Sequence, residues 1–305
     1  MRAVICTRYG PPEVLQIKEL EKPMPKDHEV LIKVSAATAH IGDTRIRKAD
    51  PFLVRIVFGM LNPRKNLILG LEISGVIEAV GKDVQQFKAG DEVFGLTGFS
   101  GGYAEYICLP GTVEPGTGQK KGMIARKPAH LSHEEAAVVP SGALTALKNL
   151  QKAQIRAGQH ILIHGASGSL GTYAIQLAKD YGAEVTAVCS RSNIELVRSL
   201  GADRVIDYTA EDFTASDTRY DIVYDAVIKA KPAQCRKILK PNGVFVNNSR
   251  LSKMEEADLL FVKGLLEENK LKPVIDRTYR LEDIVEAHRY VDTGRKKGNV
   301  ALTLG

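Results

Sequence analysis

The chain has 305 residues, 44% hydrophobic and 26% charged, which is ordinary globular usage and excludes a disordered or fibrous protein; its length predicts two domains. The formal charge of +6 is scattered over the chain, so no nucleic-acid partner is expected, and an anionic cofactor or substrate accounts for the excess equally well. The four cysteines, Cys6, Cys108, Cys189 and Cys235, have no CxxC spacing, and no signal peptide or membrane-spanning apolar run is present, so a soluble protein of a reducing cytoplasm is expected.

In chain order, Val30 to Val34 follows Pro23 and Pro25 as a strand, and Ile73 to Val80 lies between glycines as another, predicting a β-rich first domain. Phe52 to Leu61 is an apolar run broken by Arg55, and the expectation is a core helix or packed loop rather than a lid over a substrate pocket. The charged runs Arg64-Lys65 and Arg295-Lys296-Lys297 are expected to be solvated loop charges. Gly111 to Gly122, rich in Gly, Pro, Thr and Lys, predicts a mobile surface insertion. Ser132 then opens a helix through a capping box with Glu135.

From His160 the pattern alternates: strand 161–163, helix 169–181, strand 185–188, helix 194–200, strands 205–206 and 222–224, helix 233–239, strand 244–246. That alternation predicts an α/β domain with a parallel sheet covered by helices. Val300-Ala301-Leu302 is a terminal strand able to return to the first domain.

The strand Ile161-Leu162-Ile163-His164 runs into Gly165-Ala166-Ser167-Gly168-Ser169-Leu170-Gly171 and then into an amphipathic helix. This is the context of a dinucleotide fingerprint, in which small residues let the backbone approach a pyrophosphate at a helix N-terminus. Ala166 stands where the usual GxGxxG has its first glycine, and His164 is expected to be a hydrogen-bonded structural residue. The second strand ends Val188-Cys189-Ser190-Arg191-Ser192-Asn193 without the acid that would select NAD. Ser190, Arg191 and Asn193 suit a 2′-phosphate instead, so NADPH is the expected cofactor.

Several further stretches carry a family likeness. They are Gly70-Leu71-Glu72-Ile73-Ser74-Gly75-Val76-Ile77-Glu78-Ala79-Val80-Gly81, then Phe87, Gly90-Asp91-Glu92-Val93, Gly102-Tyr103-Ala104-Glu105-Tyr106, and Pro140, Gly142 and Leu144-Thr145-Ala146. Leu200-Gly201-Ala202-Asp203 and Val205-Ile206-Asp207-Tyr208 extend it, so that nearly the whole chain resembles the medium-chain dehydrogenase/reductase superfamily in its zinc-independent quinone oxidoreductase branch.

The resemblance implies a GroES-like β-rich catalytic domain from residues 1–128 and 272–305, and a Rossmann doubly wound parallel sheet over 129–271, with the active cleft between them. It implies that Thr145 faces the nicotinamide, that Tyr208 lies on the adenosine side, and that Asn247 and Asn299 fall in segments lining the nicotinamide end. Ala226 and Val227 belong to the cofactor groove, where Ile228 replaces the expected glycine. The passage from Asn248 to the helix near Glu255 is too short for the usual sixth strand, and a homodimer paired through that edge would be without its customary segment.

Where the zinc alcohol dehydrogenases of the superfamily carry Cys and His ligands, this chain has His40, before Asp43, and Leu71, before Glu72, so no metal is expected. Without a Lewis acid, hydride addition to a conjugated acceptor is easier than oxidation of a simple alcohol. The expected activity is therefore NADPH-dependent reduction of a quinone or conjugated carbonyl, with His40 and Asp43 polarising the carbonyl or delivering the proton. Asp43 and Arg45 could instead form a structural ion pair. Two alternatives stay open: an alcohol dehydrogenase using His40 and an unusual metal site, and a non-catalytic NADPH-binding protein.

Overall fold

The computed structural model describes residues 1–112, 122–215, 217–249 and 252–304. The chain divides into two compact units, Met1–Ser141 with Ile275–Gly305, and Gly142–Val274. In the first, β1 (Arg2–Cys6) and β2 (Leu15–Glu19) form an antiparallel ribbon. There follow β3 (Glu29–Thr38), the helices α1 (Ile41–Lys48) and α2 (Val54–Phe58), β4 (Glu72–Val80), β5 (Glu92–Leu96), β6 (Tyr106–Pro110), β7 (Met123–Arg126) and α3 (His133–Ala137). The capping box predicted at Ser132 is present, with Glu135 donating its backbone N–H to the Ser132 hydroxyl and Ser132 returning its own to the Glu135 carboxylate.

The helix α4 (Pro140–Lys152) carries the chain into the second unit. There, β8 (His160–His164), α5 (Ser169–Asp180), β9 (Glu184–Cys189), α6 (Ile194–Ser199), β10 (Arg204–Asp207), β11 (Tyr220–Asp225), α7 (Pro232–Lys237), β12 (Leu239–Asn247) and α8 (Glu256–Glu267) alternate as the sequence predicts. The chain re-enters the first unit through β13 (Ile275–Arg280), α9 (Ile284–Asp292) and β14 (Asn299–Thr303).

The first unit is built on a seven-stranded sheet of order β13-β14-β3-β4-β5-β7, with β6 also paired to β3. The returning strand β14 aligns Ala301 with Thr38 and so buttresses the end of β3 that leads into α1. Val30, Ile32 and Val34 on β3 pack with Ile73 and Ile77 on β4, and with Val300 and Leu302 on β14. Each fully buried aliphatic side chain of this kind contributes about 1.5–3 kcal/mol.

The second unit holds a five-stranded parallel sheet of order β10-β9-β8-β11-β12. In chain order this is 3-2-1-4-5, the doubly wound arrangement, whose ligand crevice lies at the carboxyl ends of the strands where the winding reverses. The strand β8 sits at that reversal, flanked by β9 and β11. Among the described residues β12 is an edge strand with no sixth strand beyond it.

Two expectations need correction or restriction. Phe52 to Leu61 is not a core element: of α2 only Phe58 is buried, while Phe52 is 64% and Leu61 86% exposed. The predicted insertion at Gly111 to Gly122 lies, over residues 113–121, outside the described residues. No described helix is long and apolar enough to cross a membrane.

Candidate active site

In the second unit β8 delivers the chain into the glycine turn. The N–H groups of Gly165 and Ala166 both donate to the Val188 carbonyl on β9, at 3.2 and 3.1 Å, and Gly168 donates back to Gly165 at 3.1 Å. The turn is thereby fixed across the ends of β8 and β9. Ser169 and Leu170 begin the twelve-residue helix α5, whose N-cap is Gly168 and whose first turn no side chain caps. A Cβ on Gly171 would lie 2.3 Å from the Gly165 carbonyl oxygen, so only glycine allows the helix to approach the strand this closely.

Gly168 is different. Its backbone is extended, with φ of −81°, and a Cβ there would meet only the Gly165 oxygen at 3.4 Å. Nothing in the protein's own packing calls for glycine at that position.

The loop after β9 closes on the turn through Asn193, whose amide donates to Ser167 Oγ at 2.9 Å and to Ser190 Oγ at 3.2 Å. The Arg191 side chain is 81% exposed and reaches the Asp207 carboxylate at 3.3 Å. Asp207 was missed in the sequence because the acid was sought at the end of β9; it ends the neighbouring strand β10, in register with Cys189. The Thr209 hydroxyl and N–H, and then Arg191, hold its carboxyl below the usual range. Because the Arg191 guanidinium is solvent-exposed, water weakens this contact and Arg191 is free to turn to another anion.

The remaining predicted residues fall as follows. His164 donates from Nδ1 to the Asp225 carboxylate at 3.0 Å and stacks on Phe213, a structural placement. Ala226 donates its N–H to the His164 carbonyl, and Val227 its N–H to Asp225, which keeps both beside the turn. Tyr208 is exposed and donates its N–H to Cys189. Thr145 is half-buried on α4, its carbonyl taken by Asn149. Asn247 ends β12 in register with Asp225 and accepts from the Ser249 N–H. Asn299 begins β14 in the first unit and is buried.

The first unit contains a second cluster, organised around the start of α1. His40 is the N-cap, its Nδ1 accepting from the Gly42 N–H at 3.0 Å. That bond leaves the proton on Nε2, which faces the Ser141 hydroxyl at 3.4 Å. Burial, and then the positive charges of Lys296 and Arg45, push the His40 imidazolium down to about 3. At neutral pH His40 is therefore a neutral ring with a donor at Nε2.

Asp43 is fully buried and accepts from the N–H groups of Gly70 and His40 and from the Tyr103 hydroxyl. Burial nonetheless raises its carboxyl to about 7. No ion pair joins it to Arg45, which is exposed; the buried arginine is Arg47, paired with Asp292. Asp43 thus anchors α1 to the segment before β4.

Three members of this cluster were not singled out for a role from the sequence. Glu72, buried at the head of β4, accepts from the Thr38 hydroxyl and the Ser141 N–H, both at 2.6 Å, and burial raises it to about 7. Tyr103 links Thr38, Asp43 and His288 through its hydroxyl. Lys296 corrects an expectation: its two neighbours are exposed, but it is half-buried and folds back to donate to the Gly298 carbonyl at 2.6 Å. Among the described residues no three His, Cys, Asp or Glu side chains converge as a metal site would require.

The family comparisons agree with both units. A family model described as the alcohol dehydrogenase GroES-like domain matches residues 26–114, and models described as zinc-binding dehydrogenase match 169–272 and 247–302. The 2-methylene-furan-3-one reductase of Solanum lycopersicum is 33% identical over 324 residues, spanning 99% of this chain and 79% of the relative. The chloroplastic NADPH-dependent alkenal/one oxidoreductase of Arabidopsis thaliana is 31% identical, over 99% of this chain and 79% of its own length. The solved quinone oxidoreductase of Coxiella burnetii superposes with a TM-score of 0.88 at 30% identity, covering 100% of this chain and 99% of that one. The chain belongs to the medium-chain dehydrogenase/reductase superfamily, among its quinone oxidoreductase and enone reductase relatives.

Proposed function

We propose that the chain is an NADPH-dependent oxidoreductase that reduces a quinone or an activated alkene without a metal ion. The observation that carries the reading is Gly168. It caps a twelve-residue helix in a conformation open to any residue, with room where a Cβ would stand and no side-chain cap at the helix's start. The residues fit a dinucleotide: the glycine is kept for something the protein's own packing does not supply, and a pyrophosphate at a helix N-terminus needs that close backbone approach.

Ser190, Asn193 and Arg191 are proposed to hold the 2′-phosphate, Arg191 exchanging its exposed contact with Asp207 for the more highly charged group. When bound, the nicotinamide supplies the hydride. The protein orients the acceptor and meets the charge that develops on its oxygen. His40 is suited to the latter task as a neutral donor at Nε2, and its low pKa removes it as the source of the proton. Asp43 acts through the α1 N-cap, holding His40 in place. Where a zinc enzyme of this superfamily would place a histidine before Glu72, Leu71 has no donor atom.

Purified protein should consume NADPH in the presence of a panel of quinones and α,β-unsaturated ketones, at a rate unchanged by a metal chelator. Loss of activity to the chelator would favour the alcohol dehydrogenase reading. Tight NADPH binding without turnover of any acceptor would favour a non-catalytic binding protein.

A further inference from the structure

Reduction of a conjugated carbonyl needs a proton as well as a hydride, and His40 is neutral and cannot furnish one. The geometry points to Lys296 as the catalytic acid of the site: the group that protonates the substrate after hydride addition. This rests on the reading of the chain as an enone or quinone reductase.

Lys296 lies in the turn between α9 and β14. Its ammonium is tied to the Gly298 carbonyl, one residue before β14 begins at Asn299. Two residues further on, the Val300 carbonyl accepts from the N–H of Ala39, the residue immediately before His40. The turn that carries Lys296 is therefore pinned against the start of α1. From the other side, Ser141 faces His40 Nε2 and gives its N–H to Glu72. The lysine, the imidazole and the Glu72 carboxylate are thus gathered at one end of the β3–β4–β14 part of the sheet.

The charges of Glu72 on β4 and Asp276 on β13 act on the Lys296 ammonium, and its charge in turn acts on His40 at the α1 N-cap. Asp276 already accepts from the Tyr290 hydroxyl and the Lys297 N–H, and Glu72 from Thr38 and Ser141. No ion pair is made by Lys296 among the described residues, and one carbonyl occupies only one of its three donors. Burial lowers its ammonium to about 8, against the opposing pull of Glu72 and Asp276. A group with that affinity for its proton is charged at neutral pH and able to release it.

The step balances. Hydride adds to the β-carbon with its electron pair, and the alkene π pair moves onto the carbonyl oxygen as an enolate. One N–H bond of Lys296 breaks, the pair stays on nitrogen, and the proton bonds to the enolate. Solvent water re-protonates the amine, and the two electrons derive from NADPH, released as NADP⁺.

The test uses the full chain with NADPH and a cyclic enone. In wild type, kcat/KM should be level at neutral pH and fall as pH rises through about 8, because the acid must be protonated. Lys296→Met should lower kcat/KM by about 10²–10⁴-fold and abolish that limb. Lys296→Arg should do the same, since a guanidinium keeps the charge but does not release its proton. Side-chain NMR of the lysines in the apo protein, assigned by the signal missing from Lys296→Met, should show one amine titrating near pH 8.

Rescue by arginine, a retained limb in both variants, or a Lys296 amine titrating with the exposed lysines would each overturn the assignment. If wild type binds NADPH and turns over while the Lys296 variants match it, only this inference falls. If wild type turns over no enone or quinone, the reading of the whole site falls with it.

Discussion

Ile228 has φ of 56°, in the left-handed region that costs an ordinary residue roughly 1–2 kcal/mol and a β-branched one no less. The family resemblance marks this position as one in the cofactor groove where relatives carry glycine. The backbone gives a reason for the family's glycine: the chain turns here through a positive φ after β11, and the isoleucine, 44% exposed, gains little burial in return. Ile228→Gly should raise thermal stability by roughly 0.5–1 kcal/mol, the relief of strain exceeding the added entropy of the unfolded chain. Calorimetry showing a loss of stability would mean that the side chain packs more than its exposure indicates. Single residues were the least legible scale in the sequence. Lys296 sits in a run of three cations that reads as solvent-facing, and only the return of β14 beside His40 distinguishes it. Asp207 was hidden for a related reason, because adjacency of parallel strands, not chain distance, brings it to Arg191.

At the scale of elements, the β8–turn–α5 unit was legible because its requirements are local: a buried strand, small residues and an amphipathic helix in sequence. Two of its three glycines, Gly168 and Gly171, have different reasons to be there, and this can be tested. Gly171→Ala pushes a methyl group into backbone and should destabilise the fold by about 1–3 kcal/mol. Gly168→Ala should leave the melting temperature almost unchanged while weakening NADPH binding at least tenfold, or about 1.4 kcal/mol. Thermal melts and fluorescence titrations of the two variants separate the roles; a Gly168→Ala protein that binds NADPH normally would remove the main support for the cofactor site. The segment around α2 was misread because an apolar run states only that side chains prefer burial. Whether a partner surface exists is a tertiary matter, and here only Phe58 finds one. The α1 cap shows the converse: Asp43 follows His40 by three, but its bonds to Gly70 and Tyr103 come from sequence-distant segments.

Over the whole molecule, the change from short strands between turns to alternating strands and helices was enough to predict a β-rich unit followed by a parallel sheet covered by helices, the family resemblance supplied its double winding, and the returning strand was visible in Val300-Ala301-Leu302. The polar cluster of the first unit was legible only in part, since it is assembled from β3, β4, α9, β14 and the start of α4, and its hydrogen-bonded partners lie 34 residues apart for Thr38 and Glu72, 101 for His40 and Ser141, and 185 for Tyr103 and His288. The proposed function depends on which nicotinamide cofactor the second unit takes. The direct measurement is the affinity of NADPH and NADH for wild type and Arg191→Ala. If Arg191 holds the 2′-phosphate, the substitution should weaken NADPH by about 1–3 kcal/mol, or about 5- to 150-fold, and leave NADH nearly unchanged. Equal losses for both dinucleotides, or none for either, would contradict it.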